Sequence, residues 1–329
     1  MISIESPWLS VVVAIVSDTD GQTDTSHLRT CLDSLQRQTG APAMEIIVPY
    51  HQSVSGIHEV RRLYPDVVFH QVDDLRTYNG RSGSREHHDE LRARGLALAR
   101  GPIVALIEDH GVAAADWSEQ IVQAHRSPAA AFGGAIENGI DTPLNWAVYF
   151  CDFLRYQNPL SAGESEVASD ANVSYKRTAL ASIRPVWTQI FHEWSVNQAL
   201  RVRGEKVNLA PGIIVHQHRQ ALTLRSALAE RFVWGRSYAG TRTKLAGRVK
   251  RVFWVAFSPA LPILMLMRML VMAMRKRRTA WIFVKTLPLT SLLIVGWCCG
   301  EFAGYATGRA NRDGAVAGEA LARGSAAAS

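Results

Sequence analysis

Glu108, Asp109 and His110 stand side by side directly after the uninterrupted apolar run from Ile103 to Ile107. Two hard carboxylates and a borderline imidazole form a donor set suited to Mg2+ or Mn2+ carrying a substrate phosphate. A run without polar alternation reads as a strand buried on both faces of a parallel sheet, and open α/β sheets bind ligands at the carboxyl ends of such strands. A solvated strand end followed by a turn at Gly111 would give the same letters. Arg92 and Arg94 precede this strand with guanidinium groups shaped for a diphosphate, although residues two apart on a helix need not share a face. Farther along, Glu193 follows His192 and precedes Trp194 at the start of a segment with helical period. A carboxylate there either does acid–base work or simply favours the helix dipole. His216 and His218 alternate along an extended segment and so point the same way, toward a diphosphate, a metal or a structural partner.

The elements that must hold these groups follow from periodicity. Leu9 to Val16 is an apolar, β-branched strand, and Leu28 to Gln38 a helix closed by Gly40. Met44 to Val48 is a second strand stopped by Pro49, Ile57 to Leu63 a helix, and Val67 to Val72 a third strand. Tyr78 to Arg85 reads as a mobile loop, Glu90 to Arg100 as the helix before the acidic-tipped strand, and Asp116 to Ala124 as another helix. Ala131 to Ile136 and Ala168 to Tyr175 read as strands, Phe191 to Arg203 as a helix ended by Gly204, and Val207 to Val215 as an extended stretch interrupted by Pro211 and Gly212. Strand and helix alternate in the grammar of a doubly wound α/β sheet. From about Asp141 the pattern changes, and Trp146, Tyr149, Phe150, Phe153 and Tyr156 stand where a binding surface would be needed, although Trp146, Tyr149 and Phe153 are more often core than platform.

At 329 residues the chain holds one large α/β domain plus an appendage. Its four cysteines show no metal or disulfide framework, which points to a reducing compartment. The formal charge of +7 is concentrated after Arg219, beside apolar segments, which favours an anionic membrane surface and excludes nucleic acid for want of any binding motif. No basic region or cleavage site opens the sequence, so no signal peptide is expected.

Taken in order, the segments Ser10–Val13, Cys31–Gln38, Glu45–Val48, Leu91–Gly101, Glu108–His110, Asn172–Arg177, His192–Glu193 and Pro211–His216 resemble glycosyltransferase family 2, over roughly Leu9 to Arg219. That resemblance implies a nucleotide-diphospho-sugar transferase fold, with a mixed, mostly parallel sheet between helices, and inverting transfer from a nucleotide sugar, most often a UDP-sugar. It places Ala14, Val16, Tyr50, Arg92, Arg94, Glu108 and Asp109 at the donor, with Tyr50 where the family has a base-binding Asp, so that stacking on Tyr50 or contact with His51 must recognise the base. Glu108, Asp109 and His110 fall on the DXD triplet and His216 on the closing histidine, so these four would hold Mn2+ or Mg2+. Glu193 falls on the catalytic base, and Asn172, His192 and Trp194 on the acceptor side. Inversion needs a neutralised diphosphate, a base for the acceptor hydroxyl and in-line placement of the two. The alternatives are a transferase-like binding module without activity and a nucleotidyltransferase.

The sequence then divides into a catalytic domain at 1–219, an amphipathic interfacial segment at 220–251, membrane segments at 252–306 and a disordered tail at 307–329. Thr279 to Gly300 is apolar enough to cross a bilayer, with Lys285 near an end. If 252–274 crossed as well, Arg275 to Arg278 would lie across the membrane from a cytoplasmic catalytic domain, against the positive-inside rule. The expectation is therefore that 252–274 is re-entrant or interfacial, that 279–300 alone crosses, and that the protein sits on the inner (plasma) membrane. There it would act on a lipid-linked or cell-envelope polysaccharide acceptor.

Overall fold

The computed structural model describes residues 7–17, 25–77, 85–244 and 248–308. The loop expected at 78–84 and the tail from 309 lie outside the described residues. The chain separates into two compact units, one built from Met1–Glu137 and Asn158–His218, the other from Asn138–Gln157 and the segment after Arg219.

In the first unit the elements run β1 (Leu9–Ala14), α1 (Ser26–Gln36), β2 (Met44–Tyr50), α2 (Ile57–Leu63), β3 (Val68–Gln71), α3 (Arg85–Leu98), β4 (Ile103–Glu108), β5 (Gly111–Ala113), α4 (Trp117–Ala124) and β6 (Ala131–Asn138). After α5 (Pro143–Phe153), which belongs to the second unit, come β7 (Gly163–Glu164), β8 (Asn172–Lys176), α6 (Arg177–Ser182), α7 (Arg184–Trp187), α8 (Glu193–Val202) and β9 (Val207–Gln217). The sheet order is β3-β2-β1-β4-β8-β6-β9-β5, with β7 on β9. The strands from β3 to β4 are parallel, because each is reached by a helical crossover, whereas β8 is antiparallel to β4 and β6, and β9 to β5 and β7. The sheet is thus mixed, and its parallel part is the run of four strands from β3 to β4.

Burial on both faces explains the unbroken apolar strands. Val11, Val13, Ile46, Val48 and Ile107 pack against α1, α2 and α4, while Val12, Ile47, Val104 and Leu106 pack against α3, α6, α7 and α8. Each such side chain contributes roughly 1.5–3 kcal/mol, and together they fix β4 at the centre with its charged tip at one edge.

Several boundaries differ from expectation. β2 continues through Pro49 because its ladder with β1 ends at Ile47, so the missing N–H breaks no bond there. β9 likewise runs through Pro211 and Gly212, which sit between its pairings with β7 and β5. Gly111 opens a strand rather than a turn. A Cβ there would come within 2.8 Å of Ile107 Cγ1 and 3.0 Å of the Glu108 carbonyl, so the tight step from β4 to β5 favours glycine.

The second unit contains α5, α9 (Leu224–Lys244), α10 (Arg248–Phe257), α11 (Leu261–Lys276) and α12 (Ala280–Thr307). Thr142 caps α5, accepting from the Asn145 N–H at 3.3 Å, and Pro143 occupies its first turn. Tyr149 and Phe150 are buried, and Phe150 packs edge-on against Phe283 of α12 with ring centroids 5.2 Å apart. Tyr149 and Phe150 are therefore core of the helical unit, as aromatics in such a stretch more often are. Two stretches, Lys250–Lys276 and Ala280–Thr307, are long and apolar enough to cross a membrane by length and composition.

Candidate active site

β4 delivers Glu108 to the sheet edge between Ala14 of β1 and the neighbourhood of Asn172 in β8, its registers being Ala14 to Glu108 and Ile107 to Asn172. Facing it is the start of α3, whose first two turns bury Glu86, Asp89, Glu90 and Arg92. Arg92 Nη2 donates to Glu108 Oε1 at 2.9 Å, and Nη1 donates to Asp89 Oδ1 at 2.9 Å and lies 3.2 Å from Asp170 Oδ2. The Asp170 N–H, just before β8, donates to Glu193 Oε2 at 3.1 Å. Glu193 opens α8, and its other oxygen lies 4.0 Å from the Arg85 guanidinium. Glu108 and Glu193, distant in sequence, thus meet in one cluster through Arg92 and Asp170.

Four carboxylates surround two guanidiniums, so the cluster cannot carry every negative charge without repulsion. Burial, reinforced by the charge of Asp170 and opposed by Arg85, pushes Glu193 up to about 8. Burial also raises Glu108 to about 7 against the pull of Arg92, and raises Asp89 to about 7 against Arg92 and Arg85. Asp170 goes the other way, since Arg92, Glu193 and Arg85 together outweigh its burial and hold it at about 2. At neutral pH the Asp170–Glu193 pair therefore shares one proton. Burial and then Arg85 lower His192 to about 4, leaving it neutral, and its Nδ1 lies 3.3 Å from Ser195 Oγ. Trp194 is 51% exposed beside Glu193.

The triplet is arranged differently from a cation cage. Glu108 Oε1 is paired with Arg92, and Oε2 accepts from Gln217 at 3.4 Å. Asp109 accepts from the Val16 N–H at 3.0 Å and from the Ser17 hydroxyl, which ties the end of β1 to the end of β4. The His110 ring meets His27 edge-on at 4.6 Å, and its carbonyl accepts from the His218 N–H at 2.7 Å. His216 lies opposite Val112 in the β5–β9 ladder. Among the described residues no three His, Cys, Asp or Glu side chains gather to hold a metal. Of the four residues expected to hold Mn2+ or Mg2+, Glu108 and Asp109 spend their oxygens on Arg92, Gln217, Val16 and Ser17.

Other expected residues fall outside the cluster. Tyr50 is 1% exposed, its ring in the core and its hydroxyl donating to Gln71 at 3.2 Å, so no face is open for stacking on a base. His51 is buried and folds back onto Ser53. Arg94 points to Asp74 at 3.0 Å and to Glu90 at 3.6 Å, away from Arg92's partners. The Asn172 amide donates to the carbonyls of Ala135 and Ile213, each at 2.9 Å, and accepts from Trp117 Nε1, so it ties β6, β9 and α4 together in the interior. Sequence reasoning missed Arg85, Asp89 and Asp170. The signal was a polar run from Arg85 to Arg92 with Arg85, Asp89 and Arg92 at helical spacing, obscured by beginning that helix at Glu90.

No family model and no curated protein matches this sequence. Among solved structures, the chain is similar to the mannosyltransferase PcManGT from Pyrobaculum calidifontis in complex with GDP-Man and Mn2+. The likeness has 13% identity and a TM-score of 0.43, and covers 98% of this chain and 80% of that one.

Proposed function

We propose that this protein is a membrane-associated inverting glycosyltransferase that moves a sugar from a nucleotide-sugar donor to a lipid-linked or polysaccharide acceptor. The observation that carries the reading is the meeting of Glu108 and Glu193 through Arg92 and Asp170, at the carboxyl edge of the parallel strands. In the reaction, the acceptor oxygen forms a bond to the anomeric carbon as the bond to the diphosphate breaks. The acceptor proton passes to Glu193, and the donor departs as nucleoside diphosphate. Glu193 suits the base because it is one-fifth exposed and titrates near the working pH. Arg92 and Asp170 position it. Arg85, half exposed at the mouth of the cluster, is the cation available to the departing phosphates. Trp194 offers the acceptor an aromatic face beside the base.

The test is a screen of nucleotide sugars with purified full-length protein, read by product. Release of nucleoside diphosphate with transfer supports the reading. Release of pyrophosphate assigns a nucleotidyltransferase instead, and turnover of none of the donors identifies a binding module, the reading that the buried Tyr50 ring favours.

A further inference from the structure

Helices α9 and α12 run side by side in the same direction, at a spacing that only glycine allows. A Cβ on Gly300 would lie 2.1 Å from Phe232 O, one on Gly235 2.1 Å from Trp297 O, and one on Gly304 2.6 Å from Arg236 O. Small residues of this kind let helix backbones touch. Leu228 lies by Gly296, Phe232 by Gly300 and Arg236 by Gly304, so one register holds over several turns. Whatever slab α12 crosses in this stretch, α9 crosses with it.

Charge makes that crossing unfavourable. Arg231 of α9 is buried and pairs with Asp152 at 2.7 Å, and Glu230 is buried and pairs with Arg219 at 2.7 Å. Arg242 donates to Tyr305 at 3.1 Å near the end of α12. A hydrocarbon core is about 30 Å thick, roughly the length of Thr279 to Gly300. Placing it there would draw Arg231, Glu230 and their partners into lipid, where ionised side chains are rare and costly.

Yet the surface is strongly apolar. Trp281, Leu292, Val295 and Phe302 are exposed on α12 at steps of three, seven and eleven residues, as are Ile263 and Leu264 on α11. Exposed cations accompany them at Arg268, Arg275, Arg277, Arg278 and Lys285. The one acidic residue between 248 and 308, Glu301, is turned inward and accepts from Trp297 Nε1 at 2.9 Å. At one end Arg251 Nε donates to the Tyr305 carbonyl at 2.6 Å, and at the other the chain turns at Arg277, so α10–α11 and α12 form an antiparallel hairpin. An apolar surface bearing cations and no acid complements anionic headgroups over acyl chains.

We infer that the α10–α12 hairpin is monotopic: it is embedded in one leaflet of an anionic membrane and crosses it nowhere. This rests on the membrane association proposed above and replaces the single crossing expected at 279–300.

The experiment is topology mapping of the full chain in sealed vesicles. One epitope tag is placed at the N-terminus, a second in the turn at Arg277 and a third after Ser329, each scored by protease accessibility. The expected result is all three tags on one face of the membrane. A C-terminal tag opposite the N-terminal one means a single crossing, and a turn tag opposite it means two; either overturns the inference while leaving membrane association intact. Recovery of the chain in the soluble fraction overturns both. If the turn insertion prevents folding, Arg277→Cys with an impermeant maleimide gives the same reading. Replacing Arg275, Arg277 and Arg278 with Gln should also reduce partitioning to phosphatidylglycerol-containing vesicles roughly a hundredfold, relative to wild type; equal partitioning contradicts the assignment.

Discussion

Arg92 Nη2 lies 2.9 Å from Glu108 Oε1, in a pair whose arginine side chain is only 3% exposed. The same guanidinium holds Asp89 and Asp170, so it is the keystone of three carboxylates and not a solvated helix charge. Removing it by Arg92→Ala leaves buried carboxylates unpartnered. The expected loss is about 3–5 kcal/mol of folding stability in a denaturant titration. A loss below about 1 kcal/mol would show that the cluster tolerates unpaired charge.

Activity should rise with pH. As the proposed base, Glu193 works only when deprotonated, and its raised pKa of about 8 keeps it protonated below that value, so the pH–rate profile should climb through the region near 8. Replacing Asp170 with Asn removes a like charge beside it, lowers the pKa of Glu193 and should move the rising limb to lower pH. An unmoved limb would assign the ionisation to another group.

Trp194 is 51% exposed, so Trp194→Ala should leave folding stability within about 0.5 kcal/mol. If the indole faces the acceptor, KM for acceptor should rise roughly tenfold with little change in kcat. A fall in kcat alone would place its role in the chemical step.

In the helical unit, Gly300→Val should be disruptive, because even a Cβ at that position would lie 2.1 Å from Phe232 O. Forcing the helices apart is expected to cost about 1–3 kcal/mol, seen as a lowered thermal midpoint in detergent. An unchanged midpoint would mean that α9 and α12 are free to separate.

The sheet was legible in the sequence because burial on both faces leaves an unmistakable mark: β1, β2 and β4 are continuous apolar runs whose neighbours alternate between the two layers of helices. Glu108 and Glu193 were legible as positions, by type and order. Their bridge was not, because Asp170 lies in an irregular lead-in to β8, and because Asp89 follows half-exposed Arg85 in a helix start that looks solvent-loving in sequence and is buried from Glu86 onward. Periodicity reports apolar burial and is blind to a buried polar helix face. The expectation of a base-stacking Tyr50 failed for a related reason: a tyrosine ending a strand reads equally as an exposed platform and as core, and its neighbours in space decide.

The proposed transfer depends most on Glu193 as the group that takes the acceptor proton. Measuring transfer and donor binding side by side for Glu193→Gln tests this directly, since the amide keeps the shape and removes the base. The account predicts a loss of turnover of at least a hundredfold with donor affinity within about twofold of wild type. Wild-type turnover in this variant would contradict it.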